Sequence, residues 1–423
     1  MKLTKKPVNG MKEIMPAEMK IRDYAISVIK ETYAKFGFSS IETPCMEHIE
    51  NLSSKQGGEN EKLIFKVLKR GEKLNLETAG SEADLVDFGM RYDLTVPLVR
   101  FYSNNSANLP NPFKSLQMGN VWRADRPQRG RYRQFMQCDI DILGEPSNLA
   151  EIELILATTT TIGKLGFKNF RININDRRIL KAMAAYSGFN EEDFDTVFII
   201  LDKMDKIGME GVERELKESG FEGSFVDKYM SLFKGMESAD NALKFLADQI
   251  KDFMEPEVEA GLSEIIDSVK ATKNADFEII FDPTLVRGMS YYTGTIFEIV
   301  MPELGASCGG GGRYDKMVGK FTGQEVPACG FSIGFERIIL LMMENGFKIP
   351  NESKKVAYLI EKGVSGEKLC EIIAKAQATR ADGTQVLVAR MNKNKKFQKE
   401  QLTAEGYEEF EEFYKEALKG SAN

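Results

Sequence analysis

Histidine and tryptophan are almost absent: one of each in 423 residues. Imidazole general-base catalysis would have to rest on His48 alone. Its setting, PCMEHIENLS, reads as a surface or packing position. Chemistry that positions and neutralises charge, through arginine, carboxylates and Mg2+, is what that scarcity leaves. Cysteine is sparse and scattered: Cys45, Cys138, Cys308, Cys329 and Cys370 form no C-x-x-C pair. That argues against a zinc site or a disulfide framework and fits a reducing, cytoplasmic setting. No stretch approaches the roughly 20 apolar residues of a membrane span. The basic opening MKLTKKPVNGMKEIMP is followed by no apolar run, so it does not read as a signal peptide. Net positive charge is also missing, at −7 overall. The surface as a whole is therefore not built to grip nucleic acid, and any such contact must come from local patches.

What is present is the make-up of a globular protein, 42% hydrophobic and 29% charged. The length predicts two or three domains. Residues 18–36 carry helix-spaced Ile21, Ala25, Ile29, Tyr33 and Phe36, with Gly37 as a C-cap. From 38 to about 145 the pattern is short strands and turns, as in FSSIETP and KLIFKVLKR. From about 178 to 272 it is helical, with Leu243, Leu246, Ala247, Ile250 and Phe253 on one face of NALKFLADQIKDFM. Strands return in DFEIIFDP and TIFEIV, and PACGFSIGFERIILLMMEN leads into a helix. VAYLI, an amphipathic helix and QVLVA then make a small β-α-β unit, followed by RMNKNKKFQKE and a last helix.

The densest charge lies in VWRADRPQRGRYRQFMQCDIDILG, with five arginines, Arg123, Arg126, Arg129, Arg131 and Arg133, inside eleven residues. PQRG is turn chemistry, so the segment reads as a hairpin. Alternation puts Arg131, Arg133, Gln137, Asp139 and Asp141 on one face of the return strand, with Phe135 the apolar exception. Two readings stay open: a solvated strand, or a site floor with arginines for a polyphosphate and carboxylates for an amine. In RYDLTVPLVR, Asp93 and Thr95 alternate onto one face. In LVRGMSYYTGTIFEIV two adjacent tyrosines, if on a strand, point to opposite faces. SCGGGGRYD reads by default as a flexible loop, though it would also let backbone approach a ligand. In GFSIGFERI, Arg337 stands at a turn-to-helix junction.

The order and wording of these segments resemble the histidyl-tRNA synthetase family of class II aminoacyl-tRNA synthetases. The helix at 18–36 leading to IETP resembles the first class motif, GNVWRADRPQRGRYRQF the second and GFSIGFERI the third. LVRGMSYYTGTIFE is similar to the family's histidine-specific signature, GGRYD to its glycine-rich element and LDKMDKIG to part of its insertion domain. The resemblance implies an α+β fold: an antiparallel sheet flanked by helices, a helical insertion and a small C-terminal α/β domain. The implied division is 1–177 and 273–348 for the catalytic core, 178–272 for the insertion and 354–423 for an anticodon-binding-like domain. It also implies a homodimer, with ATP, Mg2+, L-histidine and tRNA(His) as reactants and partners. Histidyl-adenylate would form first, and histidine would then pass to the tRNA.

By motif position, the resemblance assigns Arg123 to the ATP α-phosphate and the histidine carboxylate region, Arg337 to the γ-phosphate end, and Arg287 to the charge developing at the α-phosphate. The histidine site would comprise Asp93, Leu94, Thr95, Arg123, Gln137, Asp141, Arg287, Tyr291 and Tyr292. No residue is assigned as a metal ligand. Gln128, in the hairpin turn, would read the extra 5′ guanosine of tRNA(His). Ser290 stands where the family commonly has Asp, Met289 where it has Leu, and Asp93 where many members have Glu. The rival reading is the synthetase-like regulatory subunit of ATP phosphoribosyltransferase in histidine biosynthesis. The short tail favours it; the intact arginines and tyrosines oppose it. Around Phe397, the basic residues Arg390, Lys393, Lys395, Lys396 and Lys399 suit single-stranded RNA, or simply a solvated helix start.

Overall fold

The computed structural model describes residues 3–53, 61–286 and 291–415, with backbone alone at Ala306. The chain forms two compact units: Met1–Ile14 with Arg22–Asn345, and Met15–Ile21 with Gly346–Asn423.

The strands in chain order are β1 (Ser39–Ile41), β2 (Met46–His48), β3 (Lys66–Leu68), β4 (Val86–Met90), β5 (Phe113–Trp122), β6 (Gln134–Leu143), β7 (Phe170–Asp176), β8 (Phe277–Phe281), β9 (Thr295–Met301), β10 (Ala306–Arg313) and β11 (Ala328–Ile333) in the larger unit. The smaller unit contains β12 (Lys355–Ile360), β13 (Gln385–Arg390) and β14 (Glu409–Phe413).

The larger unit is organised by an eight-stranded sheet in the order β1-β5-β6-β11-β10-β9-β7-β8. The interior pairings are antiparallel, from β5/β6 through to β9/β7. The two edge pairings, β1/β5 and β7/β8, are parallel. This is the antiparallel sheet the motifs imply. Helix Pro16–Lys35 buries Ala25, Ile29 and Tyr33 and ends where Gly37 takes a φ of +81°. Helix Thr95–Asn105 buries Val96, Leu98, Val99 and Tyr102 in a cluster with Phe113, Leu143, Tyr314 and Met317. The alternation expected for Asp93 and Thr95 is not what forms. Asp93 precedes the helix, and its Oδ1 accepts from the Val96 N–H at 3.0 Å, satisfying a helix-end donor.

The glycine run is the clearest departure from expectation. SCGGGGRYD supplies β10, a mid-sheet strand between β9 and β11. A Cβ on Gly311 would collide with the Gly330 carbonyl and lie 2.8 Å from the Phe297 ring. One on Gly312 would lie 2.6 Å from the Thr295 carbonyl. Glycine here permits close strand approach rather than looseness.

Residues 177–272 form helices Arg177–Ser187, Phe194–Leu201, Met204–Glu218, Gly223–Glu237, Ala242–Gln249 and Pro256–Thr272. Leu243, Leu246 and Ile250 are buried as their spacing predicts. The helix stops at Gln249, however, which leaves Phe253 at 50% exposure rather than on the apolar stripe.

The smaller unit holds a parallel sheet in the order β13-β12-β14. Helix Gly366–Ala381 packs Ile372 and Ala376 against Val356, Tyr358 and Val386. The expected last helix forms at Lys395–Ala404, inside the basic stretch, and β14 follows it. Lys395 and Lys399, two of the basic residues around Phe397, both pair with Glu412 of that strand at 2.5 Å. Parallel pairing to β12 and this charge match hold β14 in place.

Replacing Gly311 by Ala should destabilise the protein by about 1–3 kcal/mol, because backbone cannot yield as a flexible side chain would. Gly223→Ala, which meets nothing within 4 Å, is the control and should be close to neutral. Thermal and denaturant melts would check this; equal melts for the two variants would contradict the crowding argument.

Candidate active site

The cleft floor is built from β6 and β11. Asp141 stands opposite Gly330, and Asp139 opposite Ser332, in the antiparallel register. A Cβ on Gly330 would collide with Asp141 Oδ1, so glycine makes room for that carboxylate. The other face of β6 buries Cys138, Ile140 and Ile142 in the core. The period-2 split predicted for this strand is therefore observed.

A buried ion pair sets the cleft wall. Arg22, from the first helix, grips Glu336 through two bonds, Nη1–Oε2 at 2.6 Å and Nη2–Oε1 at 2.9 Å. Glu336 Oε1 also accepts from the Met136 backbone N–H at 3.1 Å. One carboxylate thus ties the helix 16–35, strand β6 and helix Phe335–Glu344, which starts one residue before it. Breaking such a pair leaves an uncompensated buried charge.

Asp93, Thr95, Arg123, Gln137, Asp141, Tyr291, Tyr292 and Arg337 all line one cavity of about 340 Å³. The tyrosines do not diverge as strand neighbours would. They lie before β9, both reach the cavity, and their rings meet edge-on at 4.8 Å. Leu94 is brought close in sequence only. Its side chain is buried in the core, and its carbonyl accepts from Gln117 Nε2 at 3.1 Å. Arg287, with Gly288, Met289 and Ser290, lies outside the described residues. Gln128 is exposed at the hairpin turn, where its backbone exchanges two hydrogen bonds with Arg131.

The arginines divide by partner. Arg123 Nε donates to the Tyr92 carbonyl at 3.0 Å, and its guanidinium lies over the rings of Tyr92 and Phe135 at 4.3 and 5.2 Å. Arg337 lines the cavity and donates to the Ser307 carbonyl. Arg129 pairs with Glu344, Arg131 with Asp125, and Arg133 bonds the Asp125 and Asn9 carbonyls. Much of the hairpin's charge therefore shapes the turn itself.

The motif assignment left out Asp139, which strand alternation had put on the possible site floor, and Ser332 and Tyr314 were not assigned to the site at all, although each stands within a quoted motif. The Tyr314 hydroxyl donates to Asp141 Oδ1 at 2.6 Å. The Ser332 hydroxyl donates to Asp139 Oδ1 at 2.5 Å. Three buried acceptors on this cavity have no hydrogen-bond partner among the described residues: Asp93 Oδ2, Gln137 Oε1 and Asp141 Oδ2. Burial pushes the Asp93 carboxyl up. Burial, with Asp141 adjacent, lifts Asp139 well above the carboxylate range. Burial raises Asp141 to about 7, against the pull of the Tyr314 hydrogen bond. Such a wall calls for a cationic, hydrogen-bond-donating ligand. Among the described residues no group of three or more His, Cys, Asp or Glu side chains is arranged to cage a metal ion. No described helix is long and apolar enough to cross a membrane.

The raised Asp141 has a pH consequence. The unfolded chain loses this proton near pH 4, while the ligand-free folded protein keeps it to about pH 7. Its contribution to stability therefore falls as pH rises from about 4 to about 7. Asp141→Asn should melt higher than the parent at pH 8 without ligand, and the advantage should shrink at pH 5. A shift of equal size at both pH values would contradict this account.

Residues 10–338 match the family described as Histidyl-tRNA synthetase. The chain is 47% identical over 345 residues to the histidine--tRNA ligase of Leifsonia xyli subsp. xyli, covering 79% of this chain and 80% of that one. It is 37% identical over 348 residues to the histidine--tRNA ligase of Aeropyrum pernix, covering 81% and 75%. The crystal structure of histidyl-tRNA synthetase from Nostoc sp. PCC 7120 superposes with a TM-score of 0.77 at 26% identity, over 96% of this chain and 90% of that one. An ATP phosphoribosyltransferase regulatory subunit/histidyl-tRNA synthetase from Bacillus halodurans C shares the fold, with a TM-score of 0.76 at 20% identity over 99% and 100% of the two chains. With its sheet, its three class motifs and its cavity in place, the chain belongs to the histidyl-tRNA synthetase family.

Proposed function

We propose that this chain is a histidine--tRNA ligase, which activates L-histidine with ATP and transfers histidine to tRNA(His). The observation that carries the reading is the trio of buried acceptors with no partner among the described residues, Asp93 Oδ2, Gln137 Oε1 and Asp141 Oδ2, facing the same cavity as Arg123 and Arg337. An α-ammonium group offers three N–H donors and one positive charge, which suits those acceptors. The aromatic wall of Tyr291, Tyr292 and Tyr314 suits a flat imidazole ring.

In the first step a carboxylate oxygen of histidine attacks the α-phosphorus of ATP. The bond from that phosphorus to the bridging oxygen breaks, and pyrophosphate leaves. In the second, a ribose hydroxyl of the tRNA's terminal adenosine attacks the histidyl carbonyl and AMP leaves. Neither step needs a protein imidazole. Both need in-line positioning and neutralisation of phosphate charge. Arg123 would serve the α-phosphate and the amino-acid carboxylate, and its orientation by the Tyr92 carbonyl supports that role. Arg337 would hold the γ-phosphate end, and Arg287 would stabilise the charge developing at the α-phosphate. Mg2+ would be carried by the nucleotide phosphates, since the described side chains form no cage for it.

Asp93, Thr95, Arg123, Gln137, Asp141, Arg287, Tyr291 and Tyr292 together make up the proposed histidine site; Leu94, with its side chain in the core and its carbonyl taken by Gln117, is not part of it. Gln128 at the exposed turn would meet the acceptor end of tRNA(His). Residues 178–272 would be the inserted helical domain between the core segments 1–177 and 273–348, and 354–423 the anticodon-binding-like domain. The protein would act as a cytoplasmic homodimer.

Histidine-dependent ATP–pyrophosphate exchange is the direct test, and L-histidine alone among the amino acids should support it. Histidine binding without exchange would favour the regulatory reading instead. Arg123→Ala should lower kcat/KM for exchange by roughly 10²–10³, the usual loss for a preorganised charge at the reacting centre. Arg287→Ala should keep histidine binding detectable by calorimetry while nearly abolishing exchange. Normal turnover in the Arg287 variant would remove it from the chemistry.

A further inference from the structure

We propose that Asp139 and Ser332 are positioning residues: they orient the Gln137 side-chain amide so that its oxygen, not its nitrogen, faces the amino-acid pocket. The inference rests on the proposed use of that pocket for an α-amino acid.

Asp139 on β6 and Ser332 on β11 are register partners, and both line the cavity. The Ser332 hydroxyl has one proton, which goes to Asp139 Oδ1. Its oxygen is then left to accept, and Gln137 Nε2 donates to it at 3.3 Å. Gln137 Nε2 also lies 3.5 Å from Asp139 Oδ2, a second acceptor. A ligand ammonium in the pocket favours the ionised form of Asp139, and with Asp139 ionised both groups beside the amide nitrogen are acceptors, so the nitrogen is held on that side. The oxygen is left on the other, buried and without a partner among the described residues.

An amide has two near-isosteric orientations, and only its hydrogen-bond neighbours choose between them. In the inverted orientation the Gln137 oxygen would face a carboxylate and a hydroxyl oxygen whose proton is already committed. An N–H donor would then meet the ligand's ammonium. Asp93 and Asp141 supply negative charge to that ammonium, but neither controls which end of Gln137 it meets. That choice belongs to a serine of the third motif and to a carboxylate that need not touch the ligand.

Discrimination between L-histidine and imidazole-lactate, the analogue with a hydroxyl in place of the ammonium, reads this role. The parent chain should bind histidine more tightly than the hydroxy acid in calorimetric titrations. Asp139→Asn presents a donor where Oδ2 accepts and favours the inverted amide. It should reduce that preference about tenfold or more, the scale of one hydrogen bond to a charged group, with KM for ATP unchanged. Ser332→Ala should shift the preference in the same direction by less, and Ser332→Thr, which keeps the hydroxyl, should restore it. If Asp139→Asn fails to fold, the alanine and threonine variants at Ser332 decide alone. An unchanged preference in the folded variants, even with weaker binding of both ligands, would mean a merely structural role and overturn the proposal. If the parent chain shows neither histidine binding nor exchange, the reading of the pocket fails and this inference fails with it. Parent binding with an unaltered preference in the variants would sink only the positioning role.

Discussion

Glu336 is where the large unit is tied together. Its carboxylate receives the Arg22 guanidinium on two oxygens and the Met136 N–H on one of them. The three partners come from the first helix, the second strand of the hairpin and the helix that carries Arg337. The site is spread over distant parts of the chain, and this pair fixes where those parts stand. The Arg22 guanidinium also lies 4.8 Å from the centre of the Phe335 ring, so the charge is screened from water by an aromatic face. A buried pair of this kind need not add much net stability. What it supplies is a directional constraint, two parallel hydrogen bonds of fixed geometry.

On that frame the floor trades side-chain volume for closeness. Gly311 and Gly330 let β10, β11 and the Asp141 carboxylate approach without a Cβ between them. The room so gained is occupied by carboxylates that burial discourages from ionising. Among the described residues Arg123 is the positive group that bears on Asp93 and Asp139, and it does not offset their burial. The ligand-free pocket is therefore poised to accept positive charge. Such a pocket is costly when empty and selective when filled, because a ligand without the cation would leave buried acceptors unmet.

The sequence carried much of this. Alternation in RQFMQCDIDIL sorted β6 into a cavity face and a core face, and the structure keeps that division. The wording of the class motifs gave the antiparallel sheet and gathered Asp93, Thr95, Arg123, Gln137, Asp141, Tyr291, Tyr292 and Arg337 as candidates. All eight line one cavity. Local rules misread other places. Glycine content suggested a loop at 307–315, but inter-strand crowding makes it a strand. Asp93 and Thr95 share the cavity through a loop and a helix start rather than through strand alternation.

The sequence by itself determined which residue types were available and in what order: a dense run of arginines, carboxylates further along the same strand, and a single imidazole. These are properties of composition and motif, and they survive any arrangement of the chain. Tertiary structure decided which of those groups act together. Arg129 is bound to Glu344 and Arg133 to backbone away from the cavity, while Arg123, Arg131 and Arg337 line it. Ser332 and Tyr314, silent in sequence, become partners of Asp139 and Asp141 because β11 lies beside β6, and Tyr314, just past β10, reaches Asp141 across Gly330 of β11. Partner choice depends on distance in space, and residues nearly two hundred positions apart in the chain have none assigned until the sheet closes.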